Sequence, residues 1–259
     1  MELQKKLVFI TDADSSSGRA IVRRLALAGA SFILNSLSSG TDIVEELDIV
    51  RNSGQQAVVV NIDLGKSAEV ADMLADTEKK LGLVDVLVHN NRFVHRASVE
   101  HCEEERFLES LNVNAKTAFI CTQAAGKQMM KKQAGSIIYI SSIHAEKPTG
   151  SAFSYSVSKG AVKMLSKEAA LVLGRHGVRV NTIELGPLEG DNDIFESDIS
   201  TLYHDYEYKV PNAVLGKLDD LAELTCFLSS DSSRYINGSD IRLDGGFLLH
   251  YMNFKMKRP

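Results

Sequence analysis

Proline is scarce in this chain, 4 among 259 residues, so it punctuates little of the sequence. Cysteine is scarcer. Cys102, Cys121 and Cys226 lie far apart, form no Cys-x-x-Cys pair and have no histidine at metal-ligand spacing. A disulfide framework and a metal site are therefore not expected, and three reduced thiols fit a cytoplasmic protein. No run of 18 apolar residues occurs, and the apolar stretch at residues 7–10 is too short for a signal-peptide core or a membrane span. The expectation is a soluble protein with no membrane partner. Positive charge is not in excess: 29 Lys and Arg against 34 Asp and Glu leave a net charge of −5. That balance disfavours nucleic acid as a partner. Internal repeats and low-complexity linkers are also absent.

What is present is an ordinary globular composition, 44% hydrophobic and 24% charged, in a length that suits one α/β domain with a sizeable core. Short apolar runs at residues 7–11, 31–34, 57–60, 84–88, 136–140, 178–183 and 241–244 read as strands. Helical periodicity fills residues 18–30, 42–50, 70–81, 104–133, 151–173 and 221–228. The strands lack clean polar–apolar alternation, as expected where both faces are buried. Repeated strand–helix alternation implies an α/β fold: a Rossmann-type, doubly wound parallel sheet in a single domain over residues 1–259. Ligands of such sheets bind beyond the carboxyl ends of the strands. The informative residues are then those that follow each strand.

After the first strand stands Thr11-Asp12-Ala13-Asp14-Ser15-Ser16-Ser17-Gly18. Ser142 closes the fifth strand, Tyr155 follows thirteen residues later, and Lys159 four after that. Positions i and i+4 share a helix face, so Tyr155 and Lys159 can address one substrate. Together these segments resemble the short-chain dehydrogenases/reductases, whose loop reads Thr-Gly-x-x-x-Gly-x-Gly and whose catalytic set is Ser, Tyr and Lys. Thr11 and Gly18 match the loop, whereas Asp12 and Ser16 replace two of its glycines. Asn114, in Asn112-Val113-Asn114-Ala115, matches the family asparagine that links the lysine to solvent. His89-Asn90-Asn91-Arg92 stands where the family has Asn-Asn-Ala-Gly, with Arg92 in place of the glycine. Arg179-Val180-Asn181-Thr182-Ile183 and Leu243-Asp244-Gly245-Gly246 match late family segments, and Leu185-Gly186-Pro187 departs from the usual Pro-Gly.

The resemblance implies an oxidoreductase that moves a hydride between NAD or NADP and a ketone or secondary alcohol. Asn114, Ser142, Tyr155 and Lys159 would be catalytic. Thr11, Ser15, Gly18, Asp63, Asn90 and Pro187 would bind the cofactor together with Tyr155 and Lys159. Lys159 would favour the tyrosinate, Tyr155 would exchange the proton, and Ser142 would hold the substrate oxygen. Neither an Asp for the NAD ribose nor an Arg for the NADP phosphate appears in Asn35-Ser36-Leu37, so the sequence leaves that choice open. A carboxylate ~5 Å from a phosphate costs about 3 kcal/mol at an effective dielectric of ~20, so Asp12 and Asp14 predict weak dinucleotide binding.

Two other readings stay open: a nucleotide-independent lyase resembling halohydrin dehalogenases, against which Ser16 and Lys159 count, and a non-catalytic member of the fold. Carrier-protein-linked reductases of this family dock their carrier with two arginines, and the matching positions here are Gln133 and His176. Residues 188–210, rich in acidic side chains and with Tyr203, Tyr206 and Tyr208, are expected to form a substrate lid. His144, Glu146 and Lys147 are candidates for the pocket wall. A homo-oligomer, a tetramer by the resemblance, is expected from helices that are apolar beyond one face, including Phe119, Ile120, Val162 and Leu165, and from the tail at residues 247–259.

Overall fold

The computed structural model describes residues 2–189, 209–212 and 214–249. Seven strands, β1 (Leu7–Ile10), β2 (Ser31–Asn35), β3 (Ala57–Val60), β4 (Val86–His89), β5 (Gly135–Ser142), β6 (Val178–Leu185) and β7 (Asp240–Leu243), form one sheet. Their order is β3-β2-β1-β4-β5-β6-β7, and every neighbouring pair is parallel. The order reverses between β1 and β4, which opens a crevice where the connections from the two strands leave the sheet on opposite sides. Among the described residues the α-helices are α1 (Ser16–Leu27), α2 (Val44–Asn52), α3 (Ser67–Leu81), α4 (Glu104–Leu111), α5 (Thr117–Lys132), α6 (Phe153–Leu173) and α7 (Leu218–Ser229).

β1 shows why the sheet is buried on both faces. Its four residues are all buried, yet alternate side chains enter different cores. Val8 and Ile10 pack with Ile21, Leu25, Leu221 and Leu228 from α1 and α7. Leu7 and Phe9 pack with Val70, Leu74, Cys121 and Val162 from α3, α5 and α6. A strand with an apolar residue at every position is what two such layers require. Among the described residues no helix is long and apolar enough to cross a membrane.

Three expectations shift. The helix expected from residue 18 begins at Ser16, because the Ser15 hydroxyl caps it by accepting from the Gly18 amide at 3.1 Å. The single helix expected over residues 104–133 is interrupted. A wide π-type turn at Asn112–Lys116 separates α4 from α5, and its carbonyl of Val113 also accepts from the Thr117 hydroxyl. Periodicity alone does not reveal one extra residue in a turn. Ile120 and Val162, expected to face a partner, belong to this chain's own core, and Leu165 packs against it. Phe119 does remain exposed, at 50%.

Candidate active site

Two clefts open at the carboxyl edge of the sheet. The first is lined by Ser142, Tyr155, Lys159, Asn90 and the loop residues Ser15, Ser16 and Ser17, with Gly186 and Leu188 on the far wall. The second is lined by Thr11, Asn35, Leu37, Asp63, Asn91 and Phe93. Asp12 and Arg92 line both.

The Tyr155 helix delivers its residues as the i, i+4 spacing requires. Tyr155 and Lys159 are both buried, and the Lys159 ammonium lies 5.7 Å from the centre of the Tyr155 ring. Lys159 Nζ donates to the carbonyls of Asn91 and Ile140, each at 3.0 Å. Those bonds tie it to the ends of β4 and β5 and use two of its three N–H groups. Burial, helped by the nearby charge of Arg92, pulls the Lys159 pKa down to about 7. Ser142 ends β5 and caps the short turn that follows, its Oγ accepting from the His144 amide at 3.2 Å. The His144 ring meets the Tyr155 ring edge-on at 5.6 Å. Burial and Arg92 lower the His144 pKa to about 4, so it is neutral at pH 7.

Asn114 sits on the π-type turn and stands behind the cleft rather than in its wall. Its Oδ1 accepts from the Phe93 amide at 2.8 Å, and its Nδ2 donates to the Phe93 carbonyl and to Ser158 Oγ, both at 2.9 Å. It thereby pins the segment whose Asn91 carbonyl holds Lys159.

The loop after β1 is organised by Asn90. Its Oδ1 accepts from the Asp12 amide at 3.0 Å, its Nδ2 donates to the Asp12 carbonyl at 2.7 Å and to Ser15 Oγ at 3.1 Å, and its amide donates to Thr11 Oγ1 at 3.0 Å. Gly18 is required here, since a Cβ would stand 2.0 Å from the Asp12 carbonyl oxygen. The Asp12 carboxylate turns back on its own loop and accepts from the Ser15 amide at 3.3 Å. Burial raises its pKa, with Asp14 adding to the effect against the opposing Ser15 bonds.

Asp14 was the second carboxylate expected to oppose a phosphate, and its side chain turns elsewhere. It reaches the end of β2, where it accepts from Ser36 Oγ at 2.7 Å, the Ser38 amide at 3.0 Å and Ser38 Oγ at 3.1 Å. Desolvation opposes its ionisation, but these bonds outweigh it and hold the carboxyl below its ordinary range. Sequence spacing concealed this residue, because Asp14 precedes α1 and only the folded loop brings it beside Ser36.

The other expected positions divide. Thr11 and Asp63 line the second cleft, and Asp63 also accepts from the Gly65 amide at 2.8 Å. Pro187 is buried between Gly186 and Leu188 and is not part of the wall they form. Gly186 is needed because a Cβ would meet Asp244 Cβ at 2.4 Å. Glu146 leaves the pocket for Arg242, at 2.7 Å, and Lys147 is exposed. Gln133 and His176 meet each other through Nε2 and Nδ1 at 3.2 Å. Of the expected lid, only residues 188, 189, 209 and 210 are described; the rest lies outside the described residues. Of the tail, Phe247–Leu249 forms a short turn whose Phe247 packs beside Tyr155 and Val210 in the same chain, and residues 250–259 lie outside the described residues.

A dinucleotide fits these residues at both ends. Asn91 and Ser141 are among the residues that line the second and first clefts respectively, and their buried Oδ1 and Oγ have no hydrogen-bond partner among the described residues. Unsatisfied polar atoms in a cleft wall are what a polar ligand completes. The middle fits less well, since Asp12 stands where a phosphate would pass.

The family profile described as enoyl-(acyl carrier protein) reductase matches residues 12–248. A 2-dehydro-3-deoxy-D-gluconate 5-dehydrogenase of Bacillus subtilis is 31% identical over 246 residues, covering 95% of this chain and 96% of that protein. Glucose 1-dehydrogenase 2 of the same organism is 28% identical, covering 96% and 97%. A gluconate 5-dehydrogenase from Burkholderia cenocepacia, solved with NADP and tartrate, is 26% identical and superposes with a TM-score of 0.87 over 96% of this chain and 97% of that one.

Proposed function

The chain belongs to the short-chain dehydrogenase/reductase family, and on that premise we propose that it is an NAD(P)-dependent oxidoreductase acting on a secondary alcohol or its ketone. The observation that carries this reading is one cleft that gathers Ser142, Tyr155 and a buried Lys159 anchored on two strand ends. A bound nicotinamide would supply the hydride in reduction and accept it in oxidation. Tyr155 gives its phenolic proton to the carbonyl oxygen in reduction and takes it back in oxidation. Ser142 donates its hydroxyl to the same oxygen, while the His144 amide occupies one lone pair of Oγ and orients it. Lys159, when charged, favours the tyrosinate and offers its remaining N–H to a ribose hydroxyl. Asn114 acts through Phe93 and Asn91 as a positioning residue. Thr11, Asn91 and Asp63 would face the adenosine portion. These roles predict that Tyr155→Phe, which keeps the ring and removes the proton, lowers kcat by at least about a hundredfold. Steady-state kinetics of the variant with any accepted alcohol or ketone checks this, and unchanged turnover refutes the assignment.

Several finer points belong to the same proposal. The named relatives favour a polyhydroxylated substrate such as a sugar or sugar acid. Gln133 and His176, bonded to each other where a carrier-docking pair of arginines would stand, speak against a carrier-bound acyl group. NAD is favoured over NADP, because Asp14 brings a carboxylate to the end of β2, where a 2′-phosphate would lie. The quaternary form is proposed to be a tetramer built on α5 and α6. Val157, Met164 and Leu171 recur every seven residues along α6 and are 38%, 59% and 71% exposed. A cytoplasmic location is supported by three free thiols.

A further inference from the structure

A dinucleotide lying across both clefts must pass its pyrophosphate through the neck between them. Asp12 and Arg92 are the two residues common to both walls. On the Asp12 side, two of the donors that a phosphate would use are already engaged. The Ser15 amide bonds the Asp12 carboxylate and the Gly18 amide bonds Ser15 Oγ. The loop thus sets a carboxylate of its own beside the helix N-terminus, where N–H groups usually attract a phosphate, and leaves it fewer amides. Just after β4 stands Arg92, in the wall of both clefts. It is exposed to solvent, and its charge is felt in the first cleft, where it helps lower the pKa of both Lys159 and His144. A guanidinium is always charged and matches two phosphate oxygens at once.

We propose that Arg92 is the residue that holds the pyrophosphate of the bound dinucleotide, taking over from the loop amides that Asp12 and Ser15 engage. This assignment rests on the reading of the chain as dinucleotide-dependent. It explains how a loop carrying Asp12 and Ser16 in place of two glycines remains compatible with a complete set of catalytic residues. The compensating charge comes from the segment after β4, at a position that the family fills with glycine.

The test is equilibrium binding by wild type, Arg92→Ala and Arg92→Lys. Calorimetry would follow NADH and ADP-ribose, which carry the pyrophosphate, and nuclear magnetic resonance titration would follow adenosine, which lacks it. Arg92→Ala is expected to weaken NADH and ADP-ribose by tenfold to a hundredfold, Arg92→Lys to recover part of the loss, and adenosine to bind all three alike. Circular dichroism checks that the variants fold. Unchanged ADP-ribose affinity in Arg92→Ala overturns the assignment, and so does an equal loss for adenosine. If Arg92→Ala instead keeps its ADP-ribose affinity and raises the KM for a sugar acid, Arg92 serves a substrate carboxylate and the assignment fails. If wild type binds neither NADH, NADPH nor ADP-ribose, the dinucleotide reading itself falls and takes this assignment with it.

Discussion

Asp14 and Lys159 are the residues whose behaviour depends most on the folded environment. Asp14 is held ionised at the end of β2 by Ser36 and Ser38. Its charge should repel a 2′-phosphate, so NAD(H) is expected to bind at least about tenfold more tightly than NADP(H), and Asp14→Ala to narrow that ratio. Parallel calorimetric titrations of both cofactors measure it, and an NADP preference in wild type would contradict the idea. Lys159 sets a stability effect. Its pKa is about 7 in the folded chain, against the ordinary lysine value of 10.5. Between those values the unfolded chain carries a proton that the folded chain has released. Stability therefore rises with pH across that window, by up to roughly 1.4 kcal/mol per unit. Below about pH 7 both states are protonated and the full cost of a buried ammonium is felt. Urea unfolding of wild type and Lys159→Met from pH 7 to 10 should show wild type gaining on the variant, and parallel pH profiles would refute the shift. Tyr155, Lys159 and Ser142 were legible in the sequence because their spacing follows helix and strand geometry. Asp14 was not legible as a partner of Ser36, because the direction of a side chain in a tight loop depends on which donors the fold brings to it.

At the scale of the element, α6 is the part of the site most firmly held. One turn beyond Lys159, Lys163 meets Glu184 of β6 at 2.7 Å, Asp240 of β7 at 3.6 Å and Glu146 at 3.8 Å. Lys167 adds a second contact to Asp240 at 2.9 Å. The Glu184 side chain is 2% exposed, and burial raises its pKa against the lowering effect of Lys163. Removing Lys163 leaves the buried Glu184 with Arg242, at 3.9 Å, as its remaining cation. Lys163→Ala is thus expected to destabilise the fold by less than the ~3–5 kcal/mol of a fully buried pair, with Glu184→Gln in the same chain restoring part of it. Chemical denaturation of the single and double variants decides this, and strictly additive losses would argue against the coupling. The sequence made α6 readable through its periodicity. It gave no sign of the π-type turn before α5, because the inserted residue leaves the apolar pattern on either side intact.

At the scale of the whole molecule, the parallel sheet was legible because seven apolar runs alternate with helices. The split of β1 between two cores explains why those runs lack a polar face. Which apolar residues turn outward, and so could serve the proposed association, was only half legible. Phe119 is exposed as expected, but Ile120 and Val162 fill this chain's own core, and Met164 and Leu171 take their place outside. Composition shows that a helix has more apolar residues than one face needs, but neighbouring elements decide which of them turn outward. If α6 forms part of a subunit contact, Met164→Glu should shift the protein towards smaller species while leaving its fold intact. Light scattering at micromolar concentration with circular dichroism checks this, and a monomeric wild type would remove the premise. The loop after β1 carries a different consequence. The amides of Thr11, Asp12, Ala13, Ser15 and Gly18 all have partners within the protein. A glycine-rich loop that waits for its ligand gives up chain freedom when the ligand arrives. Here much of that freedom is already spent on folding, so the entropy lost on binding is smaller, and the loop gains in preorganisation what it loses in the donors its own side chains occupy.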